Sequence, residues 1–298
     1  MNNCIFCNSL DYDLLYGGNI RDGSNRNFIF GEVYKCKSCD IVRLDEKYCI
    51  SSSDYESDMY RLNMNQGITS SDFFKVGDPL QIFNLQSFWP LNLRGKKVID
   101  IGTGGGSFLD SIGKIVDKAI AVEPTKIYHN DLKRRGYEVF SYAKDAINKY
   151  SNCIDIAFSF QVIEHVSDPV LFIKEAIELL KPGGELVIGT PNHDDILMKL
   201  IPDIFKPFNY RTQHRWYFDS STLKNCVKVA SNDEGNAIDV KHIHTFGLSN
   251  TFKWLMDREP GGNERLLGID SNADNLWSTY LQSTGQSDTI FITYRKSL

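Results

Sequence analysis

The sequence has 298 residues, of which 42% are hydrophobic, and it carries a formal net charge of −5. This length can bury a full core and accommodates one large domain or one domain with an appendage. The acidic balance argues against bulk DNA or RNA binding and favours a small or neutral partner. No apolar run approaches the roughly twenty residues that span a bilayer, and the N-terminus lacks a signal-peptide pattern, so we expect a cytoplasmic protein without a membrane partner.

The N-terminal fifty residues contain two C-x-x-C pairs, Cys4 with Cys7 and Cys36 with Cys39. Each pair can place two thiolates on one tetrahedral metal ion, and zinc is the expected ion. Disulfides are the alternative, which a reducing cytoplasm disfavours. Because four cysteines leave no coordination position for water, the pattern predicts a structural zinc module over residues 1–50.

A polar connector, residues 51–77, separates these cysteines from the rest of the chain and could be a flexible linker or a lid. Apolar residues between 78 and 90 then predict a helix that covers the first strand of the following domain. That domain is predicted to extend over residues 78–298.

A glycine-rich loop follows the first strand of this domain. The apolar run that ends at Asp100 predicts a buried parallel strand, and Gly102, Gly104 and Gly106 form a tight turn before a helix. Glycines between a strand's carboxyl end and a helix N-terminus suit a nucleotide-like cofactor, although a loop without a ligand is the alternative. The spacing half-fits an NAD fingerprint, with Glu123 as the acid about twenty residues on.

Two acids beyond the loop are candidates for cofactor contacts. Residues 119–122 predict a second buried strand, and Glu123 at its end could accept hydrogen bonds from both ribose hydroxyls. Asp145 follows the third strand and could meet an adenine amino group. Its alternative role is a helix N-terminal acid before Ala146.

Three motifs after the glycine loop decide the family resemblance. The pattern D-x-G-x-G-x-G from Asp100 is followed by EHV-x-DP from Glu164, LKPGG from Leu180 and TPN from Thr190. In this order they closely resemble class I S-adenosylmethionine-dependent methyltransferases, in the subgroup of ubiquinone-biosynthesis O-methyltransferases and sugar methyltransferases. The resemblance covers roughly residues 95 to 195 and displaces the NAD interpretation. The cysteine segment resembles the N-terminal zinc-binding module of bacterial enzymes that include sugar C-methyltransferases.

This resemblance implies an α/β fold, a doubly wound, Rossmann-like seven-stranded methyltransferase sheet beside a small zinc-ribbon-like module. It also implies S-adenosylmethionine at the carboxyl ends of the strands, with ribose at Glu123 and with Tyr55 or Tyr60 folding over cofactor or substrate. For Phe160 and the two tyrosines, simple core packing or docking of the connector is the alternative. The expected cofactor-binding residues are Asp100, Gly102, Thr103, Gly104, Gly106, Glu123, Pro124, Asp145, Phe160, Gln161 and Tyr60.

His165 is the predicted catalytic base, with Glu164 beside it to orient the ring or bind substrate. In similar sugar C-methyltransferases an adjacent Glu-His pair abstracts a proton, whereas in ubiquinone-type enzymes a Glu-x-x-Glu-His cluster holds a divalent ion. The first position of that cluster is Gln161 here, and an amide is a weaker ligand for a hard cation. A helix-start cap is the alternative role of the Glu-His pair.

Other histidines compete for the catalytic role. His193 and His214 follow later motifs and could line an acceptor pocket. His242 and His244 alternate on a predicted sixth strand and have the pattern of half-exposed strand residues.

The C-terminal part is predicted to close the domain. Residues 220–222 can cap a helix, and residues 289–294 predict an antiparallel edge strand. An aromatic-rich insertion over about 250–283 either packs the core or shapes a substrate or dimer surface.

The sequence therefore predicts methyl transfer to a small-molecule acceptor, most simply a hydroxyl of a sugar or nucleotide-sugar-like metabolite in carbohydrate biosynthesis. The alternatives are C-methylation of a keto-sugar and a non-catalytic protein that binds S-adenosylmethionine and recruits a partner. The oligomeric state is not predicted.

Overall fold

The computed structural model describes residues 3–23, 27–57, 69–88, 91–232, 238–262, 266 and 268–298. Tyr60 lies outside the described residues. Within these ranges the strands are, in chain order, β1 (Tyr12–Asp22), β2 (Asn27–Cys36), β3 (Val42–Leu44), β4 (Lys97–Ile101), β5 (Lys118–Val122), β6 (Glu138–Phe140), β7 (Ile154–Phe160), β8 (Leu180–Pro191), β9 (Trp216–Tyr217), β10 (Ile238–Ile243) and β11 (Thr289–Arg295).

Helices cover the sheets and connect the strands. They are α1 (Ser52–Tyr55), α2 (Ser70–Gly77), α3 (Gln81–Ser87), α4 (Ser107–Ile112), α5 (His129–Arg134), α6 (Ala143–Tyr150), α7 (Pro169–Leu179), α8 (Ile196–Leu200), α9 (Pro202–Asn209), α10 (Ser220–Ser231), α11 (Leu248–Asp257) and α12 (Ser271–Ser283). No helix in the described part of the chain is long and apolar enough to cross a membrane. The cytoplasmic location stays a prediction.

The larger sheet has seven strands in the order β10-β11-β8-β7-β4-β5-β6. The pairings from β8 through β6 are parallel, which fits the nearly continuous apolar character of these central strands. Their carboxyl ends therefore lie along one edge of the sheet. This arrangement confirms the predicted doubly wound fold.

The last strand does not lie at the edge of the sheet, so that prediction is wrong. β11 runs antiparallel to β8 on one side and to β10 on the other. Five of its seven residues are buried, α10 also packs against it, and β10 takes the edge position instead. Since β10 is parallel to β8, its carboxyl end joins the same edge as the central strands.

The start of β8 needs a glycine for steric reasons. Helix α7 ends at Leu179 and β8 begins at Leu180, and the register of β8 against β7 shifts between the pairs Ile154–Leu180 and Ile156–Glu185. A Cβ at Gly184 would lie 2.9 Å from the backbone oxygens of Ile154 and Lys181. The L-K-P-G-G motif is therefore a tight helix-to-strand connection, as the sequence indicates.

The smaller sheet joins the cysteine module to the rest of the chain. Its order is β1-β2-β3-β9, and β9 comes from the segment that precedes α10. In the antiparallel ladder between β3 and β9, Val42 lies opposite Tyr217 and Arg43 lies opposite Trp216. The module is thus attached through a β ladder in addition to the connector.

Candidate active site

The glycine loop connects β4 to α4, where the sequence predicts it. Gly102, Gly104 and Gly106 have φ angles of 87°, 55° and 93°, which favour glycine over any other residue. A Cβ at Gly102 would lie 2.2 Å from Val162 Cγ2. Val162 therefore packs directly against the backbone of Gly102, where no side chain would fit.

Two carboxylates flank this loop. Glu123 is 1% exposed, and its oxygens accept hydrogen bonds from the backbone N–H groups of Gly104 and Thr125, each at 2.8 Å. Asp100 is 3% exposed, and burial raises its pKa to about 7, assisted by the charge of Glu123 and opposed by a Thr103 hydrogen bond. These contacts hold Glu123, which follows β5, against the glycine loop that follows β4.

A cavity of about 540 Å³ extends along the carboxyl edge of the larger sheet. Its far wall lies beyond β8, where Asp195, His244 and Asp288 line it together with Trp254. The predicted site residues that line the cavity are Asp100, Gly102, Thr103, Gly104, Glu123, Pro124, Phe160, Gln161, Glu164 and His165.

Three predicted residues are not among those that line the cavity. Gly106 forms the left-handed cap of α4. Asp145 lies in the first turn of α6, where it accepts a hydrogen bond from the Tyr142 N–H at 3.0 Å. His193 stacks on Tyr210, its Nε2 lies 3.0 Å from the Tyr210 hydroxyl, and burial lowers its pKa to about 4.

Glu164 and His165 lie in the loop after β7, on the cavity wall. The His165 Nδ1 lies 2.8 Å from the Gln213 carbonyl oxygen, so Nδ1–H donates and the neutral ring keeps its lone pair on Nε2. Nε2 is 3.7 Å from Glu164 Oε1. This is the tautomer that a proton-accepting histidine requires.

The Glu164 side chain is almost fully buried. Its Oε2 accepts a hydrogen bond from Thr190 Oγ1 at 2.9 Å, while Oε1 has no hydrogen-bond partner among the described residues. Burial raises the pKa of Glu164 to about 7. A buried carboxyl group with one unsatisfied oxygen beside a histidine is a candidate for binding substrate or a cation.

Aromatic rings from two other segments contact His165. The rings of Tyr55 and His214 each lie 4.7 Å from it, centroid to centroid. His214 is buried, and burial lowers its pKa well below the usual value, assisted by the charges of Arg211 and His165. The structure thus brings together one predicted tyrosine and one of the competing histidines at the predicted base.

Glu164, His165 and His214 also form a set of metal-ligand types. One ligand atom from each lies within 4.8 Å of the others. Imidazole and carboxylate together suit a divalent transition metal better than magnesium. His214 therefore offers the ligand that Gln161 cannot.

The two C-x-x-C pairs meet in one cluster. The Cys4 and Cys39 sulfurs are 3.5 Å apart, as are those of Cys7 and Cys36, and all four lie within 4.8 Å of one another. Sulfurs on a tetrahedral zinc ion are about 3.8 Å apart, given Zn–S bonds of about 2.3 Å. The donor set fits one tetrahedral metal ion.

Comparison with known proteins identifies the family. The family described as "Methyltransferase domain" matches residues 82–230, which contain the glycine loop, Glu123 and the Glu164–His165 loop. This chain belongs to the methyltransferase domain family. The matched region also includes β9, the strand that pairs with the cysteine module.

Among curated relatives, the mitochondrial ubiquinone biosynthesis O-methyltransferase of Mus musculus is 33% identical over 111 residues, which are 34% of this chain and 30% of the relative. The chain thus spans about a third of that relative's length. The ubiquinone biosynthesis O-methyltransferase of Klebsiella pneumoniae is 26% identical over 54% of this chain and 70% of the relative.

Solved structures agree on the fold. An S-adenosylmethionine-dependent methyltransferase of Thermotoga maritima, described as a possible histamine N-methyltransferase, covers 76% of this chain and is itself 94% covered, with 21% identity and a TM-score of 0.50. The likeness at this identity is one of fold.

Sequence reasoning missed most of the far cavity wall. Asp195, Asp288 and Arg211 carry no recognisable motif, and His244 has the alternating pattern of an ordinary strand residue. For Asp195, His244 and Asp288 the signal that could have found them is their position, since each follows or precedes a strand whose end lies at the active edge. Arg211 lies between α9 and β9 of the smaller sheet, where no such signal exists.

Proposed function

We propose that this protein transfers the methyl group of S-adenosylmethionine to a hydroxyl group of a small-molecule acceptor. The supporting observation is that one cavity connects the glycine loop and Glu123 to the Glu164–His165 pair. Cofactor-type and base-type residues thus face a shared space, as an in-line transfer requires. Family membership supports the same reaction class.

In this proposal the cofactor lies over β4 and β5. Asp100, Gly102 and Gly104 would hold its methionine part, and Glu123 would accept hydrogen bonds from its ribose hydroxyls, since each carboxylate oxygen has a second lone pair besides the one that its present backbone partner uses. Phe160 and Gln161, at the end of β7, face the sulfonium. Gln161 has φ of 57°, a strained conformation for a non-glycine residue, which often marks a functional position.

His165 acts as the general base. Its Nε2 takes the proton of the acceptor hydroxyl while the oxygen attacks the methyl carbon, and the carbon–sulfur bond breaks to leave neutral S-adenosylhomocysteine. The Gln213 carbonyl oxygen holds Nδ1–H and stabilises the imidazolium that forms. Glu164 lies 3.7 Å away and orients the ring or the acceptor.

The identity of the acceptor stays a prediction. A sugar or nucleotide-sugar acceptor finds no support in the names of the relatives, which are ubiquinone biosynthesis O-methyltransferases. Those names favour oxygen over carbon as the methylated atom. The alternative of a non-catalytic binding protein is disfavoured by the base-competent geometry of His165.

The four cysteines hold a structural zinc ion in this proposal. Their sulfur spacing supports a tetrahedral site without a position for water. Zinc then stabilises the module and takes no part in the methyl transfer.

The test is transfer of a tritiated methyl group from S-adenosylmethionine to three acceptor classes, namely neutral sugars, nucleotide sugars and, because of the names of the curated relatives, hydroxylated quinone precursors. With the accepted class, His165→Gln should lower kcat by about 10²- to 10⁴-fold and leave S-adenosylhomocysteine affinity intact. His242→Gln is the matched control, because His242 bonds Ser220 and Ser287 away from the cavity. Unchanged turnover in His165→Gln would transfer the base role to His214.

A further inference from the structure

The cysteine cluster is packed directly against the segment that precedes α10. Phe6 lies between the ligand candidates Cys4 and Cys7 and is 8% exposed. Its ring lies edge-on to Trp216, with centroids 5.4 Å apart, and to Phe218, at 6.4 Å. The cluster therefore determines where this aromatic ring can lie.

The backbone of the same segment is tied to the module by hydrogen bonds. Trp216 pairs with Arg43 in the β3–β9 ladder, and the Leu44 N–H donates to the Arg215 carbonyl oxygen at 3.0 Å. The Arg43 guanidinium lies 5.0 Å from the centre of a Trp216 ring. Trp216 is thus held by the module through its backbone and through the contacts of Phe6 and Arg43 with its side chain.

The other side of this segment holds the catalytic loop. The N–H groups of Arg215 and Trp216 donate to the Glu164 carbonyl oxygen at 2.8 and 3.2 Å, and the Trp216 indole N–H donates to the Val166 carbonyl oxygen at 2.8 Å. The residue between them, His165, donates to the neighbouring Gln213 carbonyl. Three consecutive residues of the catalytic loop therefore take their positions from residues 213–216.

We propose that Trp216 is a positioning residue that couples the metal state of the cysteine module to the geometry of Glu164 and His165. The catalytic role of the Glu164–His165 loop rests on the proposed function. The way in which the loop is held rests only on its contacts with residues 213–216. When the cluster binds its ion, Phe6 fixes the indole, and the indole fixes the loop. Loss of the ion releases Phe6, and the ring of His165 loses its defined orientation.

The experiment uses the full chain with zinc and S-adenosylhomocysteine bound, with ¹⁵N-labelled histidine, and follows the His165 ring nitrogens by NMR. In Trp216→Phe the apolar ring remains but the bond to the Val166 carbonyl is lost, so the His165 signals should shift or broaden. The matched control is Trp277→Phe on α12, which removes an indole hydrogen bond to Thr251 on α11 and should leave these signals unchanged.

Two further samples separate coupling from general loss of structure. Phe6→Leu keeps all four cysteines and most of the buried volume, and it should shift the His165 signals while the zinc content stays at one ion per chain. Removal of zinc from the wild type by chelation should produce the same shift, and added zinc should reverse it.

The proposal predicts that, with an accepted substrate, Trp216→Phe lowers kcat by about 10- to 100-fold with KM and S-adenosylhomocysteine affinity changed less than about twofold. His165 signals that do not respond to zinc removal, Phe6→Leu or Trp216→Phe would overturn it. Because the NMR readout needs no acceptor, absence of turnover on every acceptor would contradict the proposed function and leave the coupling intact.

Discussion

Three carboxyl groups on the cavity wall, Asp100, Glu164 and Asp195, are buried, and burial raises the pKa of each to about 7. Each therefore keeps its proton in the folded state at pH values where the unfolded chain has lost it. The folded state binds more protons between about pH 4 and pH 7, so the free energy of unfolding falls as pH rises through this window. These residues stabilise the unliganded protein only at acidic pH.

Asp195→Asn tests this pH dependence. Burial, with the charge of Asp288, raises the pKa of Asp195, and an asparagine oxygen can still accept the Leu197 N–H that now bonds the carboxyl group at 2.8 Å. Urea unfolding should show a gain of up to ~4 kcal/mol at pH 8 and little change at pH 4. The exposed neighbour Asp194→Asn is the control. An equal effect of Asp195→Asn at both pH values would contradict the assignment.

At the scale of elements, the glycine loop is tightly packed and has positive φ angles that glycine adopts without strain. A Cβ at Gly104 would lie 2.4 Å from the Phe73 ring of α2, which covers the loop. Gly95 has a comparable positive φ of 69°, but a Cβ there would meet nothing within 4 Å. A side chain at Gly95 would therefore meet only the strain of a positive φ, whereas a side chain at Gly104 would also clash with Phe73.

Alanine at these positions should therefore act differently. Both substitutions incur the strain of a positive φ, of order 1–2 kcal/mol, but only Gly104→Ala displaces Phe73 from the cofactor loop. We expect Gly95→Ala to bind S-adenosylhomocysteine normally and Gly104→Ala to bind it at least tenfold more weakly, measured by calorimetry. Equal affinities in the two variants would show that the loop does not contact the cofactor.

The cysteine module offers a second element-scale prediction. Cys36→Ser should abolish binding of about one zinc ion per chain and lower the melting temperature, because the metal-binding free energy of such a site is also folding free energy. Cys153→Ser, which changes an exposed cysteine outside the cluster, should retain metal and stability. Full zinc occupancy in Cys36→Ser would refute the structural zinc site.

Local sequence patterns predict the elements with buried parallel strands well. β4 and β7 read as apolar runs, and the loops that follow them carry their own motifs, so Gly102, Glu164 and His165 could be placed on the cavity wall without a structure. The structure places Asp145 in the first turn of α6. This position agrees with its alternative role as a helix N-terminal acid. The sequence around a single acid between a strand and a helix contains no motif that distinguishes a contact with adenine from a role at the helix N-terminus.

At the scale of the whole molecule, the unpredicted features depend on pairings between distant segments. The insertion of β11 between β8 and β10 brings Asp288 and His244 to the cavity that Asp195 also lines. The β3–β9 ladder likewise joins residues 42–43 to residues 216–217. Strand order is fixed by tertiary packing, which leaves no periodic signal in the sequence.

The central claim is that the cavity binds S-adenosylmethionine through Glu123. Calorimetric titration of the wild type and Glu123→Gln with S-adenosylhomocysteine and with NAD tests it most directly. We predict micromolar binding of S-adenosylhomocysteine, weakened about 10- to 100-fold by Glu123→Gln as expected for hydrogen bonds to a charged group, and no binding of NAD. Binding of NAD alone, or S-adenosylhomocysteine affinity that does not depend on Glu123, would contradict the account.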